Sequence, residues 1–183
     1  MQLLELPTEL IESIAQNVDS SADLNALCRT SRRFYRILDK HLYSRDARQG
    51  CRALRWSAKI GITTTLRKSL KHGVDVNYLD SKTSYTTPLL LAAQGGHVDI
   101  VRLLLAHGGN PDIPTTWYDT PLLSAIHGGY YEVVKALLEK GADMYAKDEW
   151  FDTPLQAAVS RGQDNIVELL LKKGVLADDP QRL

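Results

Sequence analysis

The stretch TPLLLAAQGGHVDIVRLLLAHG, Thr87 to Gly108, decides the fold. Thr87 is suited to cap a helix by accepting a backbone N–H bond, and Pro88 stands at the first helical position, where its missing N–H costs nothing. Leu89, Ala92 and Ala93 give the short helix that follows a small apolar face. Gly96 fits the left-handed residue that ends it. Val98, Ile100, Val101, Leu104 and Leu105 then fall at helical spacing, and Gly108 stops the second helix. The unit reads as helix, turn, helix, loop. Neither helix is long enough to persist alone in water, so each unit needs stacked neighbours.

The neighbours are written in the chain. Thr87-Pro88-Leu89 returns as Thr120-Pro121-Leu122 and as Thr153-Pro154-Leu155, each a step of 33 residues. Gly96, Gly129 and Gly162 keep that step, as do Gly108, Gly141 and Gly174. A period of this length marks a solenoid. A fainter copy precedes these: Ala53 to Ala58 aligns with Pro88 to Ala93, and Gly61 and Gly73 match Gly96 and Gly108 with a step of 35. In its second helix Lys68 and Ser69 stand where the next unit has Leu103 and Leu104, leaving only Leu66 and Leu70 as apolar contacts. That unit reads as a terminal or junction repeat, stable only when covered, with Trp56 as a possible bridge to whatever covers it. In the last unit Ile166, Val167, Leu169, Leu170 and Leu171 remain apolar, with no clear switch to a polar outer face.

Thr-Pro-Leu, the run from Gly95 to Leu105, and Lys140-Gly141-Ala142-Asp143 resemble ankyrin repeats over about residues 52 to 177. The resemblance implies an α-helical solenoid that binds other proteins. One departure stands out. The family's histidine after Thr-Pro-Leu is replaced by Leu90, Leu123 and Gln156. A polar tie between loop and helix is expected to be lost in every copy.

The first fifty residues follow another pattern. Leu6-Pro7 opens a helix with Leu10, Ile14 and Val18 on one face; Asp23 can cap a second with Leu24 and Leu27; Phe34 to Leu42 form a third apolar run. Three helices of this size bury little surface and are marginal alone. Leu3, Leu6-Pro7-Thr8-Glu9-Leu10, Ser31-Arg32-Arg33-Phe34-Tyr35 and Leu42-Tyr43 resemble an F-box. That resemblance implies docking on a Skp1-type subunit of a cullin ubiquitin ligase through Leu6, Pro7, Leu10, Ile14, Leu24 and Leu27. An F-box directly followed by ankyrin repeats is similar to an arrangement frequent in filamentous fungi. The expected fold class is all-α, a three-helix F-box-like motif over 1–48 and an ankyrin solenoid over 49–183. The four repeats fall at about 52–83, 84–116, 117–149 and 150–183.

Composition narrows the function. The chain has 183 residues and equal numbers of basic and acidic side chains, 22 each, so overall charge points to neither nucleic acid nor membrane. Cys28 and Cys51 form no metal-type pair, and so few cysteines suit a reducing compartment, cytoplasm or nucleus. The N-terminus lacks the apolar run of a signal peptide, and no apolar stretch is long enough to span a membrane. His72 and His107 each precede a helix-ending glycine, where an imidazole suits the negative end of the helix dipole. The histidines have no ligand spacing, and the paired glycines follow the repeat and lack a phosphate-loop ending. No metal, cofactor or catalytic residue is expected. Arg29, Arg32, Arg33 and Arg36 share one helical face and read chiefly as solvated.

The loops carry the candidate binding site. Two residues before each Thr-Pro stand Tyr85, Tyr118 and Phe151, again 33 apart, flanked by Ser84, Trp117 and Trp150. Tyr85, Trp117, Tyr118, Trp150 and Phe151 would form an aromatic ladder along one edge. Such rings are frequent binding hot spots; the alternative is loop-on-loop packing. The expected function is a protein-binding adaptor that does no chemistry, serving as substrate receptor of an SCF-type ubiquitin ligase. Its partners are then a Skp1-type protein, through it a cullin, and a protein substrate. Two readings compete. A scaffold without a ligase would fail to co-purify with a Skp1-type protein. An enzyme with a small-molecule pocket on the concave face, which no motif supports, would show a bound cofactor or turnover.

Overall fold

The structure is a computed structural model that describes residues 7, 10, 13, 51–79, 86–113, 119–148, 150 and 152–174. From Cys51 onward the described residues form eight helices and no strand. They pair as α1 (Arg52–Ile60) with α2 (Thr63–Lys71), α3 (Pro88–Gln94) with α4 (Val98–Ala106), α5 (Pro121–His127) with α6 (Tyr131–Glu139), and α7 (Pro154–Ser160) with α8 (Asp164–Lys172). The inner helices α1, α3, α5 and α7 pack in sequence order, and the outer helices α2, α4, α6 and α8 form a parallel row behind them. The all-helical reading holds, and the core runs unbroken from Leu54 to Leu170.

Each inner helix from α3 onward starts as its sequence requires. Thr87 Oγ1 accepts from the Leu90 N–H at 3.1 Å and Thr120 Oγ1 from Leu123 N–H at 3.2 Å, with proline at the first helical position. Beyond α3, Gly96 takes φ 68°, and the Tyr130 ring lies 2.7 Å from where a Cβ would stand. Positive φ and close approach together leave room only for glycine. Neighbouring units are tied by side chains in one register. His97 Nε2 lies 3.1 Å from the Lys59 carbonyl, and Gln163 Nε2 donates to the Ile126 carbonyl at 2.7 Å. In the loops Asn110 N–H donates to Asn77 Oδ1 and Asp143 N–H to Asp112 Oδ1, so backbone groups left over from the helices find partners. His107 Nδ1 sits 2.9 Å from the Leu103 carbonyl, the helix-end role its position suggests.

One expectation needs correction. The polar tie after Thr-Pro-Leu is not lost in every copy. In the last unit Gln156 Oε1 accepts from Thr153 N–H at 2.8 Å while Thr153 Oγ1 accepts from Gln156 N–H, a reciprocal capping box. In the two units before it, Leu90 and Leu123 are fully buried, so apolar burial replaces the polar contact. Burying a leucine is worth ~1.5–3 kcal/mol, against ~0.5–1.5 kcal/mol net for a hydrogen bond. Trp56, the possible bridge to whatever covers the first unit, is 54 % exposed, and the segment that would supply the cover lies almost wholly outside the described residues.

The weak outer helix of the first unit is real. Ser69 is fully buried where Leu104, Leu137 and Leu170 occupy the same register, and its hydroxyl has no hydrogen-bond partner. The last described unit exposes apolar side chains that its predecessor buries. Val159 is 58 % exposed while its counterpart Ile126 is buried, and Leu171 is 51 % exposed where Leu138 is buried. On α8 Lys172 bonds Glu168 one turn away at 2.7 Å, which draws the carboxyl below its usual range and lifts the ammonium above its own.

Candidate binding edge

The loop that enters α7 is held by one carboxylate. Asp148 Oδ1 accepts from the N–H of Trp150 and from that of Asp152, both at 2.9 Å, and Asp148 N–H donates to the Asp152 carbonyl. Such a side-chain-closed turn fixes the backbone at its tip. The tip residue is Trp150, whose side chain stands 65 % exposed. An indole held on a fixed turn presents a large face at little entropic cost on binding.

Behind Trp150 lies a polar cluster that sequence reading missed. The imidazole of His127, at the end of α5, meets the indole at a centroid distance of 6.3 Å and a tilt of 56°. Its Nε2 is 3.6 Å from Asp148 Oδ2, a carboxyl whose side chain is only 4 % exposed. One turn earlier on α5, Ser124 donates to Asp119 Oδ2 at 2.6 Å. The cluster thus spans two successive units. Its members escape repeat reasoning because Lys82 and Thr115 stand in the register of Asp148, and Gln94 and Ser160 in that of His127.

Of the predicted aromatic ladder, Trp150 is therefore an exposed ring that also touches its neighbour. Tyr85, Trp117, Tyr118 and Phe151 lie outside the described residues. Of the predicted docking residues, Pro7 and Leu10 are exposed, Leu10 by 50 %. Leu6, Ile14, Leu24 and Leu27 lie outside the described residues. Among the described residues no cluster of His, Cys, Asp and Glu is arranged to hold a metal ion, and no helix is long and apolar enough to cross a membrane. The arrangement on view is an exposed ring on a fixed turn, with an imidazole and a buried carboxyl group beneath it.

Comparison with known families gives three matches. A model of ankyrin repeats in three copies matches residues 54–148, and a single ankyrin repeat matches 151–181. An F-box-like model matches residues 3–49. No curated protein matches the chain. Both kinds of domain are non-enzymatic interaction modules, and their combination is that of a protein-interaction adaptor.

Proposed function

We propose a function on one premise: the chain belongs to the ankyrin-repeat family and carries an F-box-like domain ahead of its repeats. It acts as the substrate receptor of an SCF-type ubiquitin ligase. The F-box-like segment docks on a Skp1-type protein, and through it on a cullin, with Leu6, Pro7, Leu10, Ile14, Leu24 and Leu27 as contacts. The repeats hold a protein substrate along the edge that carries Tyr85, Trp117, Tyr118, Trp150 and Phe151. The receptor itself breaks no bond. Its contribution is to keep a substrate lysine near a charged ubiquitin carrier, turning an encounter between separate molecules into a local one.

The observation that carries this reading is the order of the two modules, a docking motif followed within a few residues by a binding stack. Affinity purification of the full chain from its host, followed by mass spectrometry, tests it. A Skp1-type protein and a cullin should be recovered together with the chain. A scaffold without ligase association would yield bound proteins but neither of those two.

A further inference from the structure

Charge is unevenly placed along this chain. Between Cys51 and Val74 stand six arginines and lysines and no aspartate or glutamate, although the whole chain balances at 22 of each sign. From Asp75 onward the bias is reversed, nine basic against fifteen acidic. Helix dipoles account for part of the positive end. Lys59, Lys68 and Lys71 lie in the last turns of α1 and α2, where cations are favoured. Arg52 is different. It opens α1, at the positive end of the dipole, in a turn with no acidic residue. A cation there weakens the helix, so its presence calls for another reason.

Arg52, Trp56 and Lys59 are spaced i, i+4, i+7 along α1 and share one face, with Ile60 beside them. All four are exposed, Trp56 by 54 % and Ile60 by 53 %. Neither Arg52 nor Lys59 forms an ion pair with a described residue. In the register of Trp56 the later units carry Leu91, half-buried, and Ser124 and Ala157, buried. Only the first unit shows a large ring between two cations.

We infer that this stripe of α1 docks a short acidic segment bearing an apolar side chain, supplied by the protein that the repeats present. The inference deepens the receptor reading and rests on it. Carboxylates of the segment pair with Arg52 and Lys59, and its apolar side chain covers Trp56 and Ile60. Helix α1 has nine residues, so its face is ~13 Å long and matches about four residues of extended chain. A peptide that short stays on the positive unit. A longer polyanion such as a nucleic acid would run onto neighbours of net negative charge and be repelled.

The test uses the full chain and a fluorescein-labelled tetrapeptide of glutamates interrupted by one leucine, read by anisotropy. Saturable binding is expected, weakening as salt rises. It should be at least tenfold weaker for the same peptide with glutamine in place of glutamate, and for the Arg52→Glu/Lys59→Glu variant. Trp56→Ala should lose severalfold, and Lys140→Glu, an exposed lysine on a distant unit, should stay within twofold. Should charge reversal unfold the protein, Arg52→Gln/Lys59→Gln is used and must still lose several-fold. Absence of saturable binding, equal binding of the glutamine peptide, or an equal loss in Lys140→Glu overturns the proposal. So does tighter binding of a thymidine octanucleotide than of the acidic peptide, which would make the stripe a nucleic-acid contact. Recovery of a Skp1-type protein by the wild-type chain and by the reversed variant is scored separately. Its absence from both removes the ligase reading while leaving the peptide result to stand on its own.

Discussion

Replacing Leu123 with histidine restores the residue that ankyrin repeats usually carry after Thr-Pro-Leu, and it should destabilise this protein. Leu123 is fully buried in the second turn-start of the stack, between units on both sides. Its burial is worth ~1.5–3 kcal/mol. An imidazole there could regain one hydrogen bond, worth ~0.5–1.5 kcal/mol net. Thr120 Oγ1 is already engaged with the N–H of residue 123, and a second ring nitrogen left without a partner would cost a further ~1–3 kcal/mol. The net expectation is a loss of about 3 kcal/mol, or roughly 6–12 °C in Tm for a chain of this size. Urea unfolding followed by far-UV circular dichroism measures it, with Leu123→Ala, expected to cost ~2–5 kcal/mol, as the scale. A central unit is the right place because both neighbours depend on it. A histidine variant as stable as the wild type, or more so, would refute the idea that apolar burial has taken over the role of the polar tie.

Ser69→Ala removes a buried hydroxyl that has no partner, so the urea midpoint should rise by the equivalent of about 1 kcal/mol; a fall would mean that the hydroxyl is bonded after all. Gln156→Ala opens the capping box of α7 and should cost about 0.5–1 kcal/mol, whereas no measurable loss would leave Thr153 alone as the cap that matters. Changing Trp117 and Trp150 to Ala should reduce substrate capture while stability stays within about 1 kcal/mol, since hot-spot rings serve the partner more than the fold and the Trp150 ring is exposed. If the double variant instead melts markedly earlier and its folded fraction captures substrate normally, the ladder serves packing and the binding surface lies elsewhere.

The parts of this fold that can be read from sequence are those in which one residue type answers one local need. Thr87, Thr120 and Thr153 cap because a hydroxyl meets a free N–H three residues on, and Gly96 is glycine because its φ and the ring of Tyr130 exclude a Cβ. What could not be read depends on which neighbour fills a space. Leu90 and Leu123 compensate by burial, but Gln156 compensates by a hydrogen bond, and the substitution alone does not distinguish the two. Lys68 and Ser69 look alike as polar replacements, yet only Ser69 is fully buried. The contact of His127 with Asp148 and Trp150 joins residues with no shared register, so periodicity gives no hint of it. The aromatic ladder shows in the sequence as a 33-residue recurrence, but recurrence reports position and not whether a ring packs or waits for a partner.

The central claim is that the segment ahead of the repeats engages a Skp1-type protein. The direct measurement is co-purification of that protein with the full chain and with the Leu6→Ala/Pro7→Ala variant, each checked by circular dichroism for intact helices. A stable complex with the wild-type chain, lost in the variant while the repeats stay folded, is the predicted result. No complex with the wild type, or a complex that survives the double change with folding intact, would contradict it.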